Sequence, residues 1–277
     1  MIERRLKKIN RKNIVKAGIV MTVLILIIHI AHAITLDRIM EYKEVSFTSP
    51  HIPKEMNGYQ IAFITDTHAI SEDRLKGVVD ELNDRPIDLL VLGGDLVSLG
   101  GDPWRSLGIL SQVNTTDGIY GVGGNHDHPA DLFAAMEERA IIPLSNDGLY
   151  VRDQFYLAGV EDLQIGHPNI AHALEGSTPE DFILLTSHNP DVTMQQSTVG
   201  VDLVLSGHTH GGQMTFFGAW APALVVKNIV TDYGQRFRSG WALSNDSVPV
   251  YVSNGTGGYF PRVFARPQVI IITLAYE

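Results

Sequence analysis

The sequence contains no cysteine among its 277 residues. This absence excludes disulfide bonds, thiolate nucleophiles and cysteine-ligated zinc sites, so any metal must be held by His, Asp, Glu or Asn side chains. Basic residues are also scarce, since 21 Lys and Arg stand against 31 Asp and Glu and give a formal net charge of -10. A surface this acidic repels a phosphate backbone, and we therefore expect no nucleic-acid partner.

The basic residues that do occur are concentrated at the N-terminus. Residues 1 to 33 hold seven Lys or Arg and a single acid. An uninterrupted stretch without charged side chains follows at residues 17–34, and it is just long enough to cross a bilayer as a helix. We predict a basic cytoplasmic N-terminus at 1–16, a transmembrane anchor at 17–34 and a folded domain at 44–277. Because basic flanks stay in the cytoplasm, we expect a single-pass protein of the cell membrane with its domain on the extracytoplasmic side.

A secretory signal is the alternative interpretation of the same stretch. Ala31-His32-Ala33 matches the small-residue pattern at which signal peptides are cleaved. The apolar stretch is longer than the roughly 7 to 15 residues of a signal core, and this favours an anchor that stays uncleaved.

From about residue 44 the chain alternates between short apolar runs and helical or turn segments. Most runs lack polar alternation, which predicts strands buried on both faces and an α/β domain. Ser71, Asp102-Pro103 and His128-Pro129 mark the starts of three helices. The predicted strands are IAFIT (61–65), DLLVLGG (88–94), GIYGVGG (118–124), FYLAGV (155–160), DFILLTS (181–187), VDLVLSG (201–207), VYVSN (250–254) and VIIITL (269–274).

Five of these runs end in side chains that bind metals or transfer protons. Each fragment alone is ordinary for a turn, a helix cap or a core histidine. Since the carboxyl ends of strands in an open α/β sheet line one edge, five such endings in succession favour a single site. The residues are Asp66 and His68, Asp95, Asn125 with His126 and Asp127, His188, and His208 with His210.

The residue types indicate which ions such a site would hold. Carboxylate, imidazole and amide ligands suit manganese, iron or zinc, whereas a set made only of oxygens would suit calcium or magnesium. A carboxylate can bridge two ions, and ions about 3.5 to 4 Å apart can hold a hydroxide between them. We therefore expect two divalent metal ions as cofactors.

The motif series D-x-H, G-D, G-N-H-D, a lone His and G-H-x-H resembles that of the calcineurin-like metallophosphoesterases. GHTHGGQ at 207–213, with SNGTGGYFPRVFARPQVIIITL at 253–274, is similar to the YkuE/YaeI-type membrane-associated phosphodiesterase branch of that family. The resemblance implies a fold of two mixed β-sheets packed as a sandwich and flanked by helices, here preceded by one N-terminal transmembrane helix.

The resemblance also implies a role for each motif residue. His126 would protonate the leaving oxygen or stabilise charge on the phosphoryl group, with Asp127 orienting its ring. Arg262, in a loose P-x-R pattern, would contact a phosphate, and a surface arginine is the alternative. One ion would be held by Asp66, His68 and His210 and the other by Asn125, His188 and His208, with Asp95 bridging them.

The implied function is hydrolysis of a phosphodiester, with a bridging hydroxide attacking phosphorus in line. A phosphomonoesterase and a non-catalytic interaction module stay as alternatives. The aromatic residues of 212–247 are consistent either with a lipid-linked or cell-envelope substrate or with ordinary core packing. The natural substrate, the metal pair and the oligomeric state are left open by the sequence.

Overall fold

The structure, a computed structural model, describes residues 11–68, 70–97, 101–227 and 230–277. The first element is helix α1 (Arg11–Ile34), whose side chains are exposed along most of its length. The helical region at Arg11–Arg38 is long and apolar enough to cross a membrane. The part of the predicted basic N-terminus that precedes residue 11 lies outside the described residues.

The rest of the chain forms two six-stranded sheets. The strands in chain order are β1 (Glu41–Ser49), β2 (Gln60–Ile64), β3 (Leu89–Gly93), β4 (Ile119–Val122), β5 (Ile142–Pro143), β6 (Asp147–Arg152), β7 (Phe155–Gly159), β8 (Phe182–Thr186), β9 (Leu203–Ser206), β10 (Gly240–Leu243), β11 (Pro249–Val252) and β12 (Gln268–Tyr276). One sheet has the order β1-β12-β2-β3-β4-β5 and the other β10-β11-β9-β8-β7-β6. Both sheets are mixed, since β12 runs antiparallel to β2, β6 to β7 and β10 to β11. The predicted sandwich of two mixed sheets is confirmed.

Burial on both faces explains why the strands read as continuous apolar runs. In β2, Ile61 and Phe63 pack into the layer between the two sheets, while Ala62 and Ile64 pack beneath the helices of the first sheet. All four residues have no exposed surface. Each apolar run predicted from the sequence is a strand of one of the two sheets.

Helices cover the outer faces of both sheets. On the first sheet lie α2 (Glu72–Asn83), α3 (Pro103–Leu110) and α4 (Pro129–Glu138). The Ser71 hydroxyl accepts a hydrogen bond from the backbone N–H of Arg74, and the Asp102 carboxylate accepts one from that of Trp104, as expected for helix caps. The short helices α5 (Ile170–Ala173) and α6 (Val192–Gln195) lie on the second sheet.

Strand β1 was not predicted, and it shifts the start of the domain. It pairs in parallel with the whole of β12, beginning at Glu41 opposite Gln268, so the sheet starts three residues before the expected boundary at 44. A 3-10 turn at Leu36–Arg38 is all that separates this strand region from α1. The apolar helix is therefore joined closely to the edge of the first sheet.

Candidate metal centre

The carboxyl ends of β2, β3, β4, β8 and β9 open on one edge of the sandwich, and the predicted ligands meet there. The two sheets are linked directly at this edge, since the backbone N–H of His208, after β9, lies 3.1 and 3.2 Å from the carboxylate oxygens of Asp66, after β2. The backbone N–H of Asp66 in turn donates to Gly94 O at 2.9 Å. The expectation that distant motifs converge is therefore met in the described structure.

Asp66, His68 and His210 form one group that could hold a metal ion, which we name the first ligand group. The Nε2 atoms of His68 and His210 are 3.2 Å apart and lie 3.8 and 3.6 Å from Asp66 Oδ1. Atoms spaced in this way can surround one ion at bond lengths of about 2.0 to 2.2 Å. Burial lowers the pKa of His68 and lowers that of His210 to about 3, so both rings are neutral and can offer a lone pair.

Asp66, Asp95 and His188 form another group that could hold a metal ion, which we name the second ligand group. His188 Nδ1 donates to Gly93 O at 2.8 Å, which leaves Nε2 without a proton in the neutral ring, facing Asp95 Oδ2 at 3.2 Å. Both atoms are buried and make no hydrogen bond in the described structure. Asp95 Oδ2 also lies 3.3 Å from His68 Nε2, so this oxygen stands between the two ligand groups.

The charges of His188 and Asp95 depend on each other. Burial disfavours the charged imidazole, but the Asp95 carboxylate outweighs this effect and raises the pKa of His188. Burial also disfavours the charged Asp95, and the charge and hydrogen-bonding capacity of His188 reverse that effect and lower its pKa. A divalent cation could replace the proton that this pair attracts, so the residues present fit a metal ion.

His208 and Asn125 extend the second ligand group. His208 Nε2 donates to Val230 O at 2.8 Å, so its Nδ1 carries the lone pair and faces Asn125 Oδ1 at 2.9 Å. Two acceptors at this distance are unfavourable unless a cation lies near both. The His208 ring centroid is 5.2 Å from that of His188, which brings all three predicted ligands of the second ion together.

His126 and Asp127 lie at the same edge, but they do not form the expected pair. The Asp127 carboxylate accepts hydrogen bonds from the backbone N–H groups of Gly124, Leu96 and Val97. Among the described residues, none of the hydrogen bonds of Asp127 goes to the His126 ring, so the geometry does not support the expectation that Asp127 orients that ring. Its carboxylate instead joins the loop after β3 to the loop after β4. The His126 ring lies 5.1 Å from the His68 ring, centroid to centroid.

The backbone of the ligand residues adopts a conformation that side chains disfavour. Asp66, His68, Asp95, His208 and His210 all have positive φ angles, between 36° and 69°. The left-handed conformation costs a non-glycine residue roughly 1 kcal/mol or more, and such residues cluster at functional sites. The surrounding structure therefore holds the ligands in place at a cost in stability.

Glycines next to the ligands make room for the two carboxylates. A Cβ atom on Gly207 would lie 2.3 Å from Asp66 Oδ2, and one on Gly124 would lie 2.3 Å from Asp95 Oδ1. These two glycines therefore let the backbone approach the carboxylates of Asp66 and Asp95.

Arg262 is buried, so the alternative of a surface arginine is wrong. Its guanidinium donates to the carbonyl oxygens of Asn254, Ala265 and Gly257 and approaches His210 Nδ1 at 3.3 Å. After burial, the Arg262 charge is a second cause of the lowered pKa of His210. The structure thus places Arg262 behind a ligand.

The segment SNGTGG at 253–258 contributes to the site in a way that motif reasoning did not detect. The backbone N–H of Gly257 donates to Asp66 O at 2.8 Å. A Cβ atom on Gly257 would lie 1.8 Å from Thr67 O, so only glycine fits against the loop that carries the first ligands. The succession of small residues was the available signal for such a close approach.

The family model and the similar proteins all indicate the same family. The model of the calcineurin-like phosphoesterase family matches residues 59–212, a range that contains all seven predicted metal ligands. The uncharacterized metallophosphoesterase YkuE of Bacillus subtilis is 27% identical over 254 residues, 85% of each chain. A transmembrane protein with metallophosphoesterase domain from Danio rerio is 29% identical over 83% of this chain and 56% of its own length. An uncharacterized metallophosphoesterase of Helicobacter pylori is 28% identical over 82% and 62%. The chain therefore spans about three fifths of the length of the last two relatives.

Proposed function

Since the chain belongs to the calcineurin-like phosphoesterase family and is a metal-dependent phosphoester hydrolase, we propose that it cleaves phosphodiesters at a centre of two divalent ions. Asp66, His68 and His210 would hold one ion, and Asp95 would bridge to the second. Asn125, His188 and His208 would complete the second ion's ligands. Manganese, iron or zinc would suit this mixed set of donors.

One observation carries this proposal: a buried carboxylate oxygen and a buried imidazole nitrogen face each other without a hydrogen bond. Asp95 Oδ2 and His188 Nε2 lie 3.2 Å apart, and neither has a hydrogen-bond partner in the described structure. Leaving such atoms unpaired costs about 1 to 3 kcal/mol each, and coordination to a cation removes that cost. When bound, two ions would supply an activated water-derived nucleophile and neutralise charge on the phosphoryl oxygens.

His126 is the residue that we assign to proton transfer. Its backbone N–H donates to Asp95 Oδ1 at 2.8 Å, which fixes the main chain beside the ligands, while its side chain lines the cleft with Asn125 and His208. An imidazole at this place can protonate the leaving oxygen. Asp127 supports the loop beneath it through backbone hydrogen bonds rather than through the ring.

The lining of the cleft supports a diester in preference to a monoester. Among the described lining residues, which include Gln164, Gln213 and Leu224, there is no lysine or arginine. Arg262, the buried cation nearby, is already bonded to three carbonyl oxygens. A phosphomonoester dianion carries more charge than a diester and would need more cationic partners. A described lining without lysine or arginine, together with the apolar Ala223 and Leu224, suits a monoanionic diester with an organic substituent.

A lipid-linked or cell-envelope substrate is the finer form of this proposal. Helix α1 and the similarity to a transmembrane metallophosphoesterase-domain protein indicate a membrane protein. The excess of basic residues before α1 favours a retained anchor with residues 1–16 in the cytoplasm and the catalytic domain, from about residue 41, outside. Trp220→Ala tests the proposal of a lipid-linked substrate. Activity lost on a lipid phosphodiester but kept on a small diester would support that proposal.

The activity is tested by metal analysis of the purified full-length protein, followed by comparison of bis(p-nitrophenyl) phosphate with p-nitrophenyl phosphate under added manganese. Asp95→Asn and His126→Ala should each lower diester turnover by at least 100-fold, while His128→Ala should leave it unchanged. His128 is a matched control because it is exposed and adjacent in sequence. Parent-like turnover in both of the first two variants would exclude the proposed centre, and faster turnover of the monoester would favour the phosphomonoesterase.

A further inference from the structure

An exposed apolar patch lies beside the C-terminal end of α1. Residues 214–220 and residues 259–260 form it, and the two segments are joined because the backbone N–H of Thr215 donates to Val263 O at 2.9 Å. The Gln213 side chain also donates to the carbonyl oxygens of Tyr259 and Pro261. We name as the aromatic patch the six residues Met214, Phe216, Phe217, Trp220, Tyr259 and Phe260, whose exposed fractions lie between 43% and 63%.

The aromatic patch is in contact with the apolar helix. The His29 ring of α1 lies 4.6 Å from the Phe217 ring and 5.4 Å from the Phe216 ring, centroid to centroid. The His32 ring lies 3.8 Å from that of Phe264, which itself packs on Phe217. The position of the patch along the helix is therefore fixed by these ring contacts.

The length of the helix sets the depth of these contacts. The uncharged stretch 17–34 spans about 27 Å as a helix, slightly less than the roughly 30 Å of a bilayer's hydrocarbon core. The whole stretch is therefore needed to cross. His29 lies five residues before the helix ends at Ile34, about 7 to 8 Å along the axis. Phe216 and Phe217, which touch His29, must reach the same depth.

The composition and backbone of the patch suit a membrane interface. Trp and Tyr are enriched where a bilayer meets water. The Arg38 guanidinium lies 4.6 Å over the Phe260 ring, so the patch carries a cation of the kind that binds lipid headgroups. The backbone N–H of Phe216 donates to Trp220 O at 2.7 Å and that of Ala219 donates to Phe216 O at 3.1 Å. Internal hydrogen bonds of this kind are required of any backbone that enters lipid.

We propose that the aromatic patch inserts into the leaflet on the side of the catalytic domain, so that this domain rests on the bilayer instead of being tethered above it. The inference rests on α1 crossing the membrane and not on the proposed hydrolysis. Because Gln213 lines the metal cleft and contacts the carbonyl oxygen of Tyr259, the cleft lies beside the bilayer surface.

Quenching of tryptophan fluorescence by brominated lipids tests the insertion. The full-length protein is reconstituted in phosphatidylcholine and phosphatidylglycerol vesicles whose phosphatidylcholine is brominated close to the headgroup. Trp104→Phe with Trp241→Phe leaves Trp220 as the reporter, and Trp104→Phe with Trp220→Phe leaves Trp241. Trp241 is the matched control because it stacks on Phe47, six residues and roughly 20 Å along β1 from the end near α1.

We expect the brominated lipid to quench Trp220 at least twice as strongly as Trp241. Equal quenching of the two reporters would overturn the proposal. Shielding of Trp220 from both brominated lipid and aqueous iodide would also overturn it, because a second copy of the chain would then cover the patch. Repeating the measurement with Asp95→Asn separates the two proposals, since a catalytically inactive protein should show the same quenching pattern.

Discussion

Arg262 Nη2 lies 3.3 Å from His210 Nδ1, on the side of the ring opposite Asp66. Arg262 Nη1 donates to the carbonyl oxygens of Asn254 and Ala265, and Nη2 donates to that of Gly257. The guanidinium thus fixes the loop around residues 254–265 and at the same time disfavours protonation of a ligand imidazole. We propose that Arg262 is a positioning residue for the first ligand group.

Replacing Arg262 should therefore weaken metal binding. Arg262→Lys keeps a cation but cannot make the same set of bonds, and residues that support a ligand histidine typically change metal affinity by about 10 to 100-fold. We expect at least a tenfold loss of affinity for one of two bound manganese ions, measured by competition with a chelator. Arg266→Lys is the control because Arg266 is partly exposed and its guanidinium donates to Ile39 O instead of contacting His210. Unchanged affinity for both ions in Arg262→Lys would refute the positioning role.

Asp37 should link helix α1 to this arrangement. Its carboxylate accepts hydrogen bonds from the backbone N–H groups of Phe264 and Ala265 at 2.9 and 3.2 Å and lies 2.7 Å from His32 Nδ1. Ala265 O in turn holds Arg262. Asp37→Ala leaves these buried donors unpaired, so we expect a loss of about 2 kcal/mol, seen as a melting temperature lower by roughly 4 to 8 °C in detergent. Asp153→Ala, at an exposed turn, should melt like the parent, and a parent-like Asp37→Ala would show that the link contributes nothing.

The strands that could be predicted from the sequence are those that form continuous apolar runs. Strands such as β2 and β3 are buried on both faces, and their uninterrupted apolar runs indicate this directly. Strand β1 was missed because Glu41, Lys43 and Glu44 break the pattern, and only its pairing with β12, more than 200 residues away, makes it a strand.

The site likewise has a part that the sequence predicts and a part that depends on contacts between distant segments. The ligands each follow a strand, so their convergence could be inferred from the order of motifs. The surroundings of Arg262 and Asp127 could not, because their partners are backbone groups positioned by loops. Asp127 bonds the N–H of Leu96, 31 residues away in sequence, and no side-chain pattern records such a contact.

Asp127 should therefore act on stability and not on the orientation of the His126 ring. Burial raises the pKa of Asp127 to about 7, and three backbone N–H groups depend on its oxygens. Asp127→Ala should lower the free energy of unfolding by about 2 to 3 kcal/mol in chemical denaturation, since the N–H groups lose their acceptor. The residual activity should show the same dependence on pH as that of the parent. A shift of the acidic or basic limb of the pH profile of kcat would instead support the expectation that Asp127 orients the His126 ring.

Tyr251 predicts how stability responds to alkaline pH. Its burial between the sheets, followed by the charge of Glu41, raises its pKa to about 12 from an ordinary value near 10. The folded protein retains the phenol proton where the unfolded chain has lost it, so stability is complete below pH 10 and falls between about pH 10 and 12. Over this range the parent should lose about 2 kcal/mol more than Tyr251→Phe, which keeps the ring contact with Trp241.

Urea denaturation at successive pH values measures this difference. Tyr276→Phe is the control, since Tyr276 is an exposed tyrosine. If Tyr251→Phe followed the parent curve across the whole alkaline range, the phenol would not be the group whose burial matters.

Gly257 gives the sharpest test of how the C-terminal loop supports the metal ligands. A methyl group on its Cα would lie 1.8 Å from Thr67 O and 2.5 Å from the Thr67 carbonyl carbon, and both are backbone atoms that cannot rotate away. The loop between Asp66 and His68 would have to move, which would separate the two ligands that it carries. Gly257→Ala should therefore lower diester turnover by at least 100-fold and reduce the number of bound metal ions.

Gly77→Ala is the matched substitution for this test, because Gly77 lies within α2 and a Cβ there meets nothing within 4 Å. It should keep full activity and gain up to about 1 kcal/mol of stability, since alanine is the better helix former. Circular dichroism of Gly257→Ala would show whether the domain is still folded. A folded Gly257→Ala protein that binds two ions with parent affinity would mean that the 253–258 segment is not needed to hold Asp66 and His68 in place.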